Sequence, residues 1–172
     1  MKLWKNIIVS AALLALPALA SAEQVAPTGT DYWEVQQLSS KYAWGIDTLD
    51  EALLQSVFAK DAIAHWEIVT EGPIKLNDKV QGFDKIYGWL TSHLGHRKGY
   101  EGFPWHFVTN QIVEINGSDA NLRFYMHNRP GIAGGVYYMK ARKTPDGWRV
   151  VDLHLEEQIW NAGGYSGQPA KK

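Results

Sequence analysis

Three ionisable side chains stand where they could carry acid–base chemistry: Asp47, His106 and His127. Asp47 lies between two segments with helical patterns, and each histidine lies in an apolar, strand-like segment. A carboxylate beside an imidazole fixes the ring tautomer and stabilises the protonated ring, so the histidine can act as a base near neutral pH. Because a hairpin can bring two consecutive strands onto one face, both histidines are candidates for one site.

Each of these residues also has a structural interpretation, which the residues alone leave open. Asp47 stands where the second predicted helix begins, and aspartate is a favoured N-cap. A single histidine in a strand is more often a hydrogen-bonded structural group than a catalyst. The sequence contains no phosphate-binding glycine loop, no HExxH motif and no nucleophile elbow that would decide the matter.

Apolar periodicity predicts two or three helices in the first half of the chain. Asp31 opens the first helix with Glu34 as its capping-box partner, and Thr48 with Glu51 opens the second. The apolar residues of Phe83–Leu94 are spaced for a third helix. These helices precede a long stretch of strand-like sequence, which would hold His106 and His127.

The second half reads as strands separated by turn signals, of which Asn116-Gly117 is a strong hairpin dipeptide. Helices followed by an antiparallel meander predict a single-domain α+β fold, in which helices cover one face of a strongly bent sheet. The predicted strands are Ala62–Val69, Trp105–Ile115, Asn121–Asn128, Val136–Lys143 and Trp148–Trp160, with a hairpin arm expected within 71–80.

Several short segments resemble a known family. They are Asp47 after a helix carrying Tyr42, the run His106–Asn110, the run Gly134–Tyr137 and the run Asp146–Val150. Together they resemble the SnoaL-like branch of the nuclear transport factor 2 (NTF2) superfamily, which includes scytalone dehydratase, lindane dehydrochlorinase and bile-acid dehydratase. The resemblance extends over residues 31–160 and implies a cone-shaped fold around a pocket.

The resemblance also implies roles for the ionisable residues. An aspartate and a histidine form the catalytic pair of such enzymes, at the positions of Asp47 and His106, and His127 matches a second histidine. Asp47 would orient the ring, His106 would act as the base, and His127 would serve as the acid or polarising donor. Such chemistry eliminates or isomerises without a cofactor or a metal.

The sequence departs from the family around this acid–base pair. Ile46 and Trp66 replace tyrosines, Gly135 and Tyr137 replace a serine and an asparagine, and Asp152 replaces an arginine. The resemblance therefore implies a reaction class but no particular substrate.

Further residues are candidates for the pocket wall. Aromatic residues could line a pocket or belong to the ordinary core. Alternation along the last strand places Asp152, His154 and Glu156 on one face, which is either the pocket face or the solvated outer face. The substrate-binding candidates are Tyr42, Trp66, Asn110, Tyr137, Asp152 and His154.

Composition excludes several classes of protein. The 172 residues are 45% hydrophobic and carry a formal net charge of −1, which is unlike a disordered chain or a nucleic-acid-binding protein. The absence of cysteine excludes disulfides, thiolate metal sites and cysteine nucleophiles.

The first 22 residues predict a cleavable signal peptide. Lys2 and Lys5 precede the apolar run Ile7–Ala20, which ends in the small-x-small site Ala20-Ser21-Ala22. We expect cleavage after Ala22, export to the periplasm or the medium, and no membrane span in the mature chain. A loose leader at 23–30, the cone domain at 31–160 and a tail at 161–172 complete the predicted organisation.

Two functions follow as hypotheses. The first is a cofactor-independent lyase or isomerase acting on a small, partly hydrophobic, cyclic carbonyl or hydroxyl compound. The second is a non-catalytic exported protein that binds a small molecule in the same pocket. In both cases a homodimer through the outer sheet face is plausible from the resemblance.

Overall fold

A computed structural model of the chain describes residues 26–95, 105–129, 131 and 133–159. The predicted signal peptide and C-terminal tail lie outside these residues. The helices are α1 (Gly29–Thr48), α2 (Glu51–Val57) and α3 (Phe83–Leu94). The strands are β1 (Phe58–Ile68), β2 (Asn77–Gln81), β3 (His106–Asn116), β4 (Asp119–Asn128), β5 (Ala133–Thr144) and β6 (Gly147–Ile159).

The six strands form one open sheet in the order β2-β1-β6-β5-β4-β3. Consecutive strands from β3 to β6 pair antiparallel, as the turn signals predict. The pairing of β1 with β6 is parallel, so the sheet is mixed and not purely antiparallel. Three helices packed against one six-stranded open sheet confirm the single-domain α+β fold class.

The helix starts differ from the prediction because other residues supply the caps. Thr28 is the N-cap of α1 and forms a capping box with Asp31, whose carboxylate accepts from the Thr28 backbone N–H at 2.9 Å. Asp50, not Thr48, caps α2 by accepting from the Leu53 N–H at 2.9 Å. Helix α1 therefore continues past Asp47 and carries it in its last turn.

Side-chain alternation along the strands defines two faces of the sheet. On β4 the side chains of Leu122, Phe124 and Met126 are buried against the helices, whereas the intervening side chains are exposed. We call the face that meets the helices the inner face and the opposite one the outer face. Among the described residues, no helix has the length and apolar character needed to span a membrane.

Candidate active site

Asp47 joins the last turn of α1 to the beginning of β3 through three hydrogen bonds. Its Oδ1 accepts from Nδ1 of His106 at 2.7 Å. Its Oδ2 accepts from the backbone N–H groups of Trp105 at 2.7 Å and His106 at 3.1 Å. Because Asp50 caps α2, the interpretation of Asp47 as a helix cap is wrong. Asp47 and His106 are instead in direct contact, as the acid–base hypothesis requires.

The environment of Asp47 keeps its carboxyl group ionised. The side chain is only 5% exposed, and burial alone would raise its pKa. The hydrogen bond and charge of His106, with the two backbone N–H donors, outweigh that effect and lower the pKa below 3.8. An ionised Asp47 holds the proton of His106 on Nδ1, so Nε2 is the nitrogen left to take a proton from another molecule.

His106 lies at the wall of a cavity of about 230 Å³ between the inner sheet face and the helices. This volume is below the roughly 300–1,000 Å³ that is common for small-molecule sites, so it limits the ligand to a small one. Most lining residues are apolar or aromatic, and the polar ones among them are His93, His106, Asn128 and Glu157. The wall includes Tyr42, Ile46, Trp66, Trp89, Leu90, Leu94, Met126, Asn128, Tyr137, Leu155 and Glu157.

The three aromatic candidates, Tyr42, Trp66 and Tyr137, all line this cavity, and Tyr42 contacts both of the others. The indole N–H of Trp66 donates to the Tyr42 hydroxyl at 3.2 Å, and that hydroxyl is hydrogen-bonded to the hydroxyl of Tyr137. Burial raises the pKa of Tyr42 to about 12 and that of Tyr137 well above 10.0. Both groups therefore remain protonated at neutral pH. Their substrate-binding role stays a prediction.

Glu157 is a cavity residue that the sequence analysis did not select. Burial raises the pKa of its carboxyl group above the ordinary 4.5. Its charge also contributes to the raised pKa of both tyrosines, after the larger effect of their own burial. A carboxyl group in such surroundings can hold a proton and donate it. The cavity thus contains a candidate acid besides the candidate base His106.

His127 does not share a face with His106, so the role predicted for it in the pocket is not supported. In the β3–β4 pairing His127 lies opposite Phe107, and its ring stacks on that of Phe107 at a centroid distance of 5.1 Å on the outer face. The residue opposite His106 is Asn128, which lines the cavity. Strands pleat with a period of two, so neighbours along β4 must point to opposite faces.

Three of the predicted substrate-binding residues also lie away from the cavity. Asn110 is exposed in a bulge of β3, where its φ is +56°. Asp152 and His154 are on the outer face of β6, since the intervening Leu153 is buried on the inner face. The structure therefore supports the second interpretation, in which Asp152, His154 and Glu156 lie on the outer face of the strand. They are half-buried there, and Asp152 and His154 line a separate depression of about 330 Å³.

The sequence model of the SnoaL-like domain matches residues 27–154, most of the chain. The chain belongs to the SnoaL-like domain family. An uncharacterized protein of Mycobacterium tuberculosis, Rv2910c, is 29% identical to this SnoaL-like chain over 132 residues, covering 71% of this chain and 82% of the relative.

Solved structures show the same SnoaL/NTF2-like fold. A protein of unknown function with a cystatin-like fold from Nostoc punctiforme has a TM-score of 0.60 at 18% identity, covering 76% of this chain and 92% of its own. An NTF2-like superfamily protein from Salmonella enterica has a TM-score of 0.58 at 19% identity, covering 77% and 94%. At these identities the likeness establishes the fold alone, which fits small-molecule binding or isomerase- and dehydratase-type chemistry.

Proposed function

We propose that this SnoaL-like protein is a cofactor-independent lyase or isomerase acting on a small, partly hydrophobic, cyclic carbonyl or hydroxyl compound. The observation that carries the proposal is the Asp47–His106 pair at 2.7 Å, with His106 at the wall of an aromatic cavity. A buried carboxylate that holds an imidazole in one tautomer is the arrangement needed for general-base catalysis.

In the proposed reaction, Nε2 of His106 removes a proton from a carbon next to a carbonyl group. The negative charge that develops on the carbonyl oxygen is stabilised by hydrogen bonds from protonated donors in the cavity, and the Tyr42–Tyr137 pair supplies hydroxyls of this kind. Asp47 stabilises the imidazolium that forms.

We assign the acid role to Glu157 and not to His127. In an elimination, the protonated carboxyl group of Glu157 gives its proton to the departing hydroxyl group, which leaves as water. In an isomerisation, Glu157 instead gives its proton to a different carbon atom of the intermediate. Each acid or base contributes typically about 10²–10⁴-fold to the rate. The raised pKa of Glu157 and its place in the cavity wall support the assignment.

A proton-exchange experiment tests the base without knowledge of the natural substrate. Cyclic ketones and cyclic β-hydroxy ketones are incubated with the protein in D₂O, and NMR follows loss of the α-proton signal. The wild type should exchange α-protons of at least one compound, and His106→Gln should lower that rate by about 10²-fold or more. His127→Gln, a histidine on the outer face, is the matched control and should exchange like the wild type.

The same compounds separate the acid from the base. Glu157→Gln should keep α-proton exchange but lose release of water from the β-hydroxy ketones. Exchange that is equal in wild type and His106→Gln would contradict the proposed function.

The second candidate function is non-catalytic binding of a small molecule. The observation that favours it is the largely apolar and aromatic cavity wall, including the stacked rings of Trp66 and Trp89 at 3.8 Å. Binding of cyclic ketones, measured by ligand-observed NMR, without α-proton exchange in any of them would support this function over catalysis.

We also propose that the protein is exported and forms a homodimer. The basic start, apolar run and Ala20-Ser21-Ala22 site support export. Expression in a Gram-negative bacterium should place the protein in the periplasm with Glu23 at its N-terminus, and mass spectrometry of the fractionated cells reads this directly. An intact Met1 in the cytoplasm would contradict export.

The proposed homodimer is tested by the mass of the purified protein in analytical sedimentation, where the mass of a single chain would contradict it.

A further inference from the structure

The outer face of the sheet carries a cluster of metal-type ligands where β1 and β6 pair. It consists of His65 and Glu67 from β1 and His154 from β6, and one ligand atom from each lies within 4.8 Å of the other two. We propose that these three residues form a binding site for a divalent transition-metal ion of the Zn²⁺ type. The site is on the face opposite the cavity and does not depend on the proposed acid–base function.

The parallel pairing of β1 with β6 explains why the ligands meet. His65 and His154 are register partners, so their side chains leave the sheet side by side. Their rings stack with centroids 4.6 Å apart and planes within 3°. Glu67 is two residues beyond His65 and points to the same face, where its Oε1 lies 2.7 Å from Nε2 of His154.

Two imidazoles and one carboxylate suit zinc in both chemistry and number. Zinc binds His nitrogen at about 2.0–2.1 Å, and three protein ligands leave a further coordination position for water or another donor. Tetrahedral ligands at that bond length are roughly 3.4 Å apart, so small side-chain rotations suffice for ligand atoms that already lie within 4.8 Å of one another. All three residues are half-buried in a single copy of the chain, where an ion can reach them.

A second set of contacts already orients the ligands. The Asn77 side chain from β2 lies with its Oδ1 2.9 Å from Nε2 of His65, and its Nδ2 donates to Oε2 of Glu67 at 3.5 Å. An acceptor on one ring nitrogen holds the proton there and leaves Nδ1 of His65 for a metal ion, as outer contacts do in known metal sites. Asn77 therefore serves as a positioning residue.

Charges of both signs surround the cluster. Glu156, the register partner of Glu67, is an anion beside it, whereas Asp152, two residues before His154, pairs with the cation Lys140 of β5. Lys79, the β2 partner of His65, is a cation on this part of the face, but it is exposed. Without a metal, the same contacts would be only two hydrogen bonds, one between Glu67 and His154 and one between His65 and Asn77.

Titration of the untagged protein with ZnCl₂ alone, followed by calorimetry, tests the proposal. We expect one equivalent to bind, and His65→Gln and His154→Gln each to weaken binding at least tenfold. His127→Gln is the matched control, because His127 is an exposed outer-face histidine away from the cluster, and it should bind like the wild type. Thermal unfolding without metal verifies that each variant is folded.

Two results would overturn the metal site. One is binding to the wild type no tighter than to the His65→Gln, His154→Gln double variant. The other is an equal loss in His127→Gln, which would indicate non-specific binding to surface histidines. Co²⁺ in place of Zn²⁺ gives an independent readout, since ligation by two imidazoles and a carboxylate should change its visible absorption only when both cluster histidines are present.

Discussion

The Asp47 carboxylate binds the His106 ring with one oxygen and two backbone N–H groups with the other, across 59 residues of chain. The two backbone donors fix the carboxylate, and the carboxylate in turn fixes the ring. Because each carboxylate oxygen has its own donors, rotation of either side chain would break a hydrogen bond to a buried acceptor. Such a loss is costly, so the pair is held more firmly than an ion pair on the surface. It is the structural basis of the proposed base.

Glu157→Gln should change how the stability of the protein depends on pH. Since burial raises the pKa of Glu157, the folded protein holds this proton more tightly than the unfolded chain does. The free energy of unfolding therefore falls as pH rises from about 4.5 through the higher pKa of the folded protein. Glu157→Gln removes that loss, so the variant should be more stable than the wild type at pH 7 and lose this advantage below pH 4.5.

Urea unfolding at a series of pH values measures this effect. Glu114→Gln, which replaces an exposed carboxylate on the outer face, is the matched control and should show no such pH-dependent gain. A Glu157→Gln variant that follows the wild type at every pH would argue that Glu157 is solvated and ionised, and would remove it as the candidate acid.

Tyr42→Phe should destabilise the protein by about 1–3 kcal/mol, because it leaves the buried Trp66 indole N–H without its acceptor. Chemical unfolding followed by circular dichroism measures the change. Tyr125→Phe removes a hydroxyl from a tyrosine that is 56% exposed, so its effect should stay within about 0.5 kcal/mol. Equal effects of the two substitutions would show that the Tyr42–Trp66 contact contributes nothing to stability.

Gly135→Ala should be destabilising, whereas Gly88→Ala should not. A Cβ at Gly135 would collide with the backbone oxygen of Glu156 on the adjacent strand, and overpacking of this kind costs typically about 1–3 kcal/mol. Gly88 is exposed within α3 with open space around it, so alanine there should stabilise by roughly 0.5–1 kcal/mol. Thermal unfolding of both variants gives the comparison, and a stable Gly135→Ala would contradict the close approach of β5 and β6.

The residue pattern predicted the fold class, and the resemblance to the SnoaL-like family predicted the Asp47–His106 pair. The alternation of apolar and polar residues along the strands also predicts which face of the sheet each side chain points to. Leu122, Phe124 and Met126 share a face, so the same alternation points Asn128 inward and His127 outward. Leu153 and Leu155 likewise predict an inward Glu157. The alternation of the strands, and not the residue type, decides which of these side chains reach the cavity.

Other features depend on contacts that no local pattern encodes. The parallel pairing of β1 and β6 joins residues more than 80 positions apart, and it alone brings His65 to His154. The bulge that turns Asn110 outward arises from the β3–β4 register, with a shift between Thr109 and Ile112. The raised pKa of Glu157 follows from burial, which a sequence does not display.

The most direct test of the central claim is the tautomer of the neutral His106 ring, read by ¹⁵N NMR of ring-labelled protein and assigned with His106→Gln. The wild type should hold its proton on Nδ1, facing Asp47. In Asp47→Asn the side-chain oxygen should stay with the two backbone N–H donors, which turns the amide NH₂ toward Nδ1 and moves the ring proton to Nε2. His127 should keep one tautomer in both proteins. A wild-type His106 protonated on Nε2, or an unchanged tautomer in Asp47→Asn, would contradict the proposal that Asp47 prepares His106 as a base.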